Sequence, residues 1–389
     1  MVVTARPGLQ RRRAPRLTSK LVFVLPVVAA LVAGVAGGLV RAGVGLPGTR
    51  WLGAAVAGHA FLMICAFMGT VIAIERAVAV KHALAFAGPL ASALAGIAML
   101  LGAASAARGL ALVASAAFVV VNVVVVRRQR AAHTVLLLVA ALAWFAGCVL
   151  YTLNVGAAAV VPLWFSFLVL TIAAERLEMT RLMRRRPGAS RALQAILCGL
   201  LAGAALSAFE GPFGGVVFGL SLMGLATWLL RFDIARRTVH ASGLSRYMAT
   251  CLLLGYGWLF AAGLAWVLTT LGAACIDLAL HGVALGFVFS MMLGHAPVIL
   301  PAVARMKLQF GRAYYVPLVL LHASLVVRLG WGHFQRPAFA AGAIGNALAL
   351  LVFAFTVAGS ALLWRAKNPL PRAPRRANRL EGTDRAAGR

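Results

Sequence analysis

Residues 134–174, TVLLLVAALAWFAGCVLYTLNVGAAAVVPLWFSFLVLTIAA, decide the fold class because they contain two apolar runs and no charged side chain. A helix that crosses a bilayer needs about 20 apolar residues in succession. The runs at 134–153 and 156–174 have about that length, and only a short turn separates them. This stretch therefore predicts two membrane-spanning helices joined by a tight connection.

The same pattern continues in both directions along the chain. Ten further runs lie near 21–40, 51–74, 83–106, 109–126, 192–209, 211–230, 249–271, 276–300, 316–332 and 338–364. The chain of 389 residues is 62% hydrophobic and only 12% charged, whereas a soluble domain is about a quarter charged. We therefore predict an all-α, polytopic transmembrane helical bundle of about twelve spans. The bundle is predicted to comprise residues 21–364, in two halves, 21–175 and 192–364. Basic tails at 1–20 and 365–389 flank it, and we expect the C-terminal tail to be disordered.

The positions of the basic residues predict the orientation of this bundle. With the N-terminus inside, 32 of the 37 Lys and Arg residues fall on the inner side. Such a bias is what the positive-inside rule describes for cytoplasmic loops. Both termini and the loop 176–191 are therefore expected in the cytoplasm. The abundance of Arg, Ala and Gly is typical of a GC-rich bacterial genome, so we expect the bacterial inner membrane.

Composition also excludes several classes of function. The net charge of +29 sits at the ends of apolar runs, so it indicates topology and a lipid partner, with no nucleic acid. The five cysteines form no C-x-x-C or C-x-x-C-H motif, which excludes covalent c-type haem and a zinc finger. No nucleophile–base pair, phosphate loop or carboxylate pair for acid–base work is evident, so an independent hydrolase is not indicated.

Histidines inside the apolar runs are the main candidates for function, because polar groups within a membrane are costly and usually have a role. His59 lies in span two, His281 and His295 lie in span ten, and His322 lies in span eleven. Imidazole is an axial ligand of haem and a ligand of copper. The remaining histidines are expected in solvent at predicted loops: His82, His133, His240 and His333.

Depth along the helices sorts the four intramembrane histidines into two pairs. At about 1.5 Å per residue, His59 and His281 have similar heights in the outer half, and His295 and His322 in the inner half. In a regular α-helix, His281 and His295 also share one face. We therefore expect His59 and His281 to converge on a haem or metal ion. We expect His295 and His322 to approach each other as a metal site or a hydrogen-bonded pair, and structural interhelical hydrogen bonds are the alternative for every one of them.

Arg328 lies near the outer end of span eleven, at a depth similar to that of His281. An arginine at this depth either snorkels to the interface or meets an anion. One interpretation makes it an interface anchor near Trp331. The other makes it a bidentate partner of a propionate on a haem held by His59 and His281.

His59, together with His281 and His295 in HGVALGFVFSMMLGHAPVILPAVA (281–304), resembles the NnrS family of haem- and copper-containing membrane proteins linked to nitric oxide response. More distantly, histidines on spans two and ten are similar to the low-spin haem site of haem–copper oxidase catalytic subunits. The resemblance implies a b-type haem, copper, and a role in nitric oxide response or respiratory redox chemistry. The chain has no adjacent His-His pair and no H-x-H on span ten, so an oxygen-reducing dinuclear centre is not indicated.

Two other functions fit the sequence. Twelve spans with a basic central loop are also typical of secondary transporters for a small solute or metal. A cofactor-free sensor or assembly factor is the third possibility. Whichever function applies, we expect a homo-oligomer or a respiratory protein as partner. Glu75 and Glu175 each precede an arginine at an inner span end, and we expect them to form interfacial ion pairs.

Overall fold

A computed structural model describes residues 17–180, 187–209 and 211–368, and within these ranges the chain is helical with no β-strand. The all-α prediction is confirmed for these residues. The first helix begins at Leu17 and the last ends at Lys367. Most of the two predicted basic tails, 1–16 and 369–389, lies outside the described residues.

Twelve of the helices are long and apolar enough to cross a membrane, which confirms the predicted number within the described part of the chain and fits a multi-pass membrane protein. They are α1 (Leu17–Arg41), α2 (His59–Val80), α3 (Ala83–Leu100), α4 (Ala104–Arg128), α5 (Ala132–Thr152), α6 (Ala157–Met179), α7 (Ala189–Leu206), α8 (Phe213–Phe232), α9 (Gly243–Thr270), α10 (Ile276–Ala304), α11 (Arg312–His333) and α12 (Arg336–Lys367). Short helices at Arg50–Ala57 and Ala235–Thr238 lie between them.

Several helix boundaries differ from the predicted runs, and two of the differences occur at glycines. The run predicted at 51–74 is split at Gly58, so that a short helix precedes α2. The run predicted at 83–106 ends at Leu100, because Gly102 adopts a φ of 80°. A glycine in this left-handed conformation ends a helix at little steric cost, and α4 therefore begins as a separate helix.

Helices α2, α6 and α10 form the centre of the bundle. They are the most buried of the twelve, with 67%, 83% and 61% of their most apolar stretch enclosed by the rest of the protein. Each of them contacts the other two. Phe67 of α2 stacks with Phe289 of α10 at a centroid distance of 6.0 Å. Phe61 of α2 contacts Trp164 of α6 at 6.3 Å.

The nine other helices surround this centre in three groups of three, and each group ends on one inner helix. Helices α3 to α6 pack in sequence order, and so do α7 to α10. The third group runs from α11 and α12 to α1 and α2. This third group joins the segments 21–175 and 192–364, which the central basic loop separates in the sequence.

Both α2 and α10 contain a π-helical segment that the sequence analysis did not predict. The segments are Leu62–Gly69 in α2 and Gly282–Phe289 in α10, and each follows a histidine closely. A π-helix is wider than an α-helix. π-Helical segments are rare overall, but those that occur are often at functional sites. Because a period of 3.6 residues does not hold across such a segment, the shared face predicted for His281 and His295 no longer follows from their spacing.

Candidate functional site

The structure brings His59 and His281 together. Their ring centroids are 6.3 Å apart and their ring planes are tilted by 32°. Helices α2 and α10 run in the same direction, and each carries its histidine near its N-terminal end. The two residues therefore meet at one end of the bundle, as the depth estimate predicted. Their role as cofactor ligands stays a prediction.

Hydrogen bonds hold both imidazoles by the Nδ1 atom. His59 Nδ1 lies 2.7 Å from the carbonyl oxygen of Gly34 on α1. His281 Nδ1 lies 3.3 Å from the carbonyl oxygen of Asp277, one turn earlier on α10, and 2.9 Å from Oδ1 of the same residue. A neutral imidazole that donates its Nδ1 proton in this way presents the lone pair of Nε2, and such anchoring is common for ligating histidines.

Arg328 is buried, with 7% of its surface exposed, which contradicts the first of its two interpretations, a side chain that snorkels to the interface. Its anionic partner is Asp277, with Nε to Oδ2 at 3.1 Å and Nη2 to Oδ1 at 3.0 Å. The guanidinium also lies 4.9 Å from the centroid of the Phe339 ring. Its Nη2 is 3.2 Å from Nε2 of His281. Asp277 is thus the anionic partner of Arg328, a role that one interpretation of the sequence assigned to a haem propionate.

Asp277 is the site residue that sequence reasoning missed. Its signal was present, because it is an acidic residue near the end of an apolar run and precedes His281 by four positions. Residues at i and i+4 lie on the same helix face. The carboxylate therefore contacts the imidazole along α10 and the arginine across to α11.

A cavity of about 470 Å³ adjoins these side chains. Its polar lining includes His59, Asp277, His281, Arg328 and Arg41, and the rest is mainly apolar. The apolar lining includes the thioethers of Met63 and Met68. This volume lies within the range of about 300–1,000 Å³ that is typical of ligand and cofactor sites.

The glycine that makes room for this site lies on α1. A Cβ atom on Gly38 would approach Cε1 of His59 to 2.8 Å, so the missing side chain leaves space for the imidazole. Nothing in the sequence distinguishes this glycine from its neighbours on α1. The span-ten glycines Gly282, Gly286 and Gly294 lie against side chains of α9 instead, and their small size permits close helix packing.

His295 and His322, predicted to approach each other, do not. His295 Nε2 lies 2.8 Å from Nη2 of Arg176 on α6, and its Nδ1 lies 2.6 Å from the carbonyl oxygen of Met291. In this arrangement the imidazole donates to the carbonyl and accepts from the guanidinium. Both nitrogens are therefore occupied by groups other than His322. The predicted pairing was wrong because His322 contacts Ser290, five residues before His295 on α10, so the two histidines differ in height.

His322 takes part in a separate hydrogen-bond chain. Trp258 Nε1 on α9 donates to its Nδ1 at 2.8 Å, and its Nε2 lies 3.3 Å from Oγ of Ser290 on α10. The Ser290 hydroxyl donates to the carbonyl of Gly286 at 2.6 Å. Three helices are thereby joined through one imidazole, which is the structural alternative that the sequence left open.

The described residues contain no larger metal-ligand cluster. Across residues 17–180, 187–209 and 211–368, no three His, Cys, Asp or Glu side chains are grouped to hold a metal ion. Of the histidines expected in solvent, His82, His240 and His333 are exposed, whereas His133 is 7% exposed at the start of α5. Among the described residues, the His59–His281 pair is therefore the candidate site for a cofactor.

Comparison with known proteins gives a family but no described activity. No curated protein and no solved structure matches the chain significantly. A family model matches residues 20–362, which covers nearly all of the helical part. It is described as a domain of unknown function, DUF8744. The chain belongs to the DUF8744 family.

Proposed function

We propose that this protein is a multi-pass membrane protein that binds a b-type haem between His59 and His281. The observation that carries the proposal is the separation of the two rings. In bis-imidazole ligation the two nitrogens lie about 4 Å apart through iron, so ring centroids, each roughly 1 Å behind its nitrogen, are separated by about 6 Å. The 6.3 Å measured between His59 and His281 agrees with this geometry.

The surrounding residues fit such a group. Gly34 and Asp277 hold the Nδ1 atoms, which leaves Nε2 for the iron. Arg41 and Arg328 line the adjoining cavity, and guanidinium groups pair well with propionates. One contact would have to change, because Arg328 Nη2 now lies 3.2 Å from Nε2 of His281. Ligation would replace this contact, while the two bonds from Arg328 to Asp277 would remain available to hold the guanidinium.

A haem held by two imidazoles would supply one-electron transfer. The residues of the chain have other tasks. Asp277 orients the His281 ring and balances the charge of Arg328. Apolar residues such as Val161, Phe165 and Leu168 line the cavity and would limit the access of water to a bound haem. The resemblance to NnrS proteins connects this chemistry to nitric oxide response or respiratory redox reactions, and Met63 and Met68 are the soft donors in the lining that copper would prefer.

The proposal includes an orientation and a location. With both termini in the cytoplasm of a bacterium, the cavity lies in the outer half of the inner membrane. The distribution of 32 of 37 basic residues supports this orientation. Reporter fusions at both termini and within the loop 176–191 test it. Periplasmic activity from the loop fusion would refute the proposed topology.

The visible spectrum of the purified protein tests haem binding. We expect a Soret band in the wild type and its loss in His59→Ala and His281→Ala. His240→Ala is the matched control, because this histidine is exposed and lies at the opposite end of the bundle. Metal analysis of the same samples detects copper. A wild-type protein expressed with ample haem but without a Soret band would refute the haem proposal and favour a transporter or a cofactor-free sensor.

A further inference from the structure

An arginine cluster lies where α8 connects to α9. Its four members are Arg231 in the last turn of α8, Arg236 and Arg237 on the short helix Ala235–Thr238, and Arg246 in the first turn of α9. All four are exposed. A short stretch of the chain thus places four positive charges at one surface of the bundle.

The arginine cluster lies at the end of the bundle opposite the cavity. Helices α9 and α10 pack in opposite directions, because a Cβ atom on Gly282 would approach Ala262 to 2.9 Å and one on Gly294 would approach Cys251 to 3.0 Å. The start of α9 is therefore far from His281. Residues just beyond the ends of apolar spans lie at the level of the lipid headgroups, so the cluster faces one membrane surface.

Buried residues of the connection turn these arginines outward. Ala235 and Asp233 are both buried, and Oδ1 of Asp233 accepts a hydrogen bond from the backbone N–H of Ala235 at 2.7 Å. The short helix is thereby fixed to the bundle by its first residue, and the next two residues, both arginine, are exposed. Nε of Arg246 donates to the carbonyl oxygen of Ala241 at 2.7 Å, which fixes the connection to α9.

The protein does not neutralise the charge of the arginine cluster. Asp233 is the only acidic residue between positions 211 and 276, and it is directed inward. Among the described residues, no carboxylate forms an ion pair with any of the four arginines. The ion pairs predicted for Glu75 and Glu175 are both made with Arg76, at 3.0 and 3.4 Å. The cluster can therefore bind an anion from outside the chain.

Exposed apolar surface lies next to the cluster on both helices. On α8, Leu220 precedes Arg231 by about three turns, so it lies on the same face, and it is 53% exposed. On α9, Leu264 follows Arg246 by about five turns, again on the same face, and is 43% exposed. Between these two, a Cβ atom on Gly257 would have no neighbour within 4 Å. Each face therefore offers apolar contact to an acyl chain beside a guanidinium group.

We propose that the arginine cluster binds the headgroup of an anionic phospholipid. Guanidinium groups form bidentate, charge-assisted hydrogen bonds with phosphate oxygens, and basic residues next to membrane helices attract anionic lipids. A phosphatidylcholine headgroup carries a cation of its own, which the arginines repel, so the cluster selects phosphatidylglycerol instead. The acyl chains lie along the exposed faces of α8 and α9. The site shares no residue with the cavity, and the inference does not depend on haem.

Native mass spectrometry of the purified full-length protein in mild detergent tests the site. Phosphatidylglycerol should bind more tightly than phosphatidylcholine with the same acyl chains, and added salt should reduce the difference. Arg236→Gln combined with Arg237→Gln should lower the affinity for phosphatidylglycerol about tenfold or more, because two attractive charges are lost. Arg127→Gln combined with Arg130→Gln is the matched control. These two arginines are exposed where α4 ends, and their loss should change the affinity less than about twofold.

Three results would overturn the proposal. They are equal affinity for the two lipids, equal losses in the two double variants, and thermal stabilisation by inorganic phosphate as large as that by phosphatidylglycerol. The second result would assign binding to charge spread over the whole surface, and the third to a site for free phosphate. If the first double variant does not fold, Arg231→Gln combined with Arg246→Gln replaces it. An unchanged preference for phosphatidylglycerol in that variant would likewise refute the site.

Discussion

Removal of the Asp277 charge is the sharpest test of how the cavity end of the bundle is built. The side chain of Arg328 is 8% exposed and makes two bonds to this carboxylate, whose own side chain is 32% exposed. Removing one partner of a fully buried pair costs roughly 3–5 kcal/mol, because the other charge stays buried and unpaired. Since water reaches a third of Asp277, we expect Asp277→Asn to lower the free energy of unfolding by about 2–3 kcal/mol.

A double-mutant cycle separates the pair from its surroundings. Arg328→Met keeps the length of the side chain and leaves the carboxylate bound to His281, so we expect a smaller loss, about 1–2 kcal/mol. The double variant should lose less than the sum of the two, with a coupling of about 1–2 kcal/mol. The measurement is reversible unfolding of the purified protein in mixed detergent. Arg336→Met, an exposed arginine at the start of α12, is the control and should change stability by less than about 0.5 kcal/mol.

The same variants report on the site. Because Asp277 also holds Nδ1 of His281, Asp277→Asn should weaken cofactor retention even where the fold survives. Additive losses in the cycle, or an effect of Asp277→Asn no larger than that of the Arg336 control, would refute the view that a buried ion pair organises this end of the bundle.

Three further predictions address space and hydrogen bonding. Gly38→Ala should displace the His59 ring, lower the free energy of unfolding by about 1–3 kcal/mol through overpacking, and weaken any Soret band. Gly53→Ala has open space around its Cβ atom and should have none of these effects. On α9, a Cβ atom at Gly263 would approach the backbone of α8 to 2.7 Å, so Gly263→Ala should lower the unfolding temperature. A Cβ atom at Gly257 on the same helix has no atom within 4 Å. Gly257→Ala should therefore raise the unfolding temperature slightly, because alanine favours a helix over glycine by about 1 kcal/mol. His322→Ala should cost about 1–3 kcal/mol by leaving an indole N–H unpaired, yet leave metal and haem content unchanged; a loss of metal in this variant would restore the inner metal site.

Part of the candidate site followed from the sequence because depth follows from it. His59 and His281 lie similar distances from the ends of two helices that run in the same direction, so any bundle that placed α2 beside α10 would bring them to one level. The same reasoning failed for His295 and His322. His322 contacts Ser290 on α10, five residues before His295, so the two differ in height by about 7 Å at about 1.5 Å per residue. One is directed to Arg176 on α6 and the other to Trp258 on α9.

The sequence by itself determined the twelve helices. Apolar runs of about 20 residues leave backbone N–H and C=O groups no partner in lipid except one another, and a helix is the local way to satisfy them. Charged residues at the ends of the runs set the boundaries to within a few residues. What the sequence did not determine is which helices become central, and which face of each helix meets a neighbour.

Only the tertiary structure decided those points. Hydropathy shows which residues along the chain form a span. It does not show which face of a helix meets another helix, because that depends on rotation about the helix axis and on packing between helices that are distant in sequence. The π-helical segments of α2 and α10 change this rotation within a single span. The ion pair of Arg328 with Asp277 joins α11 to α10, and the ion pair of Arg76 with Glu175 joins α2 to α6. Both therefore depend on packing between helices, which no single apolar run encodes.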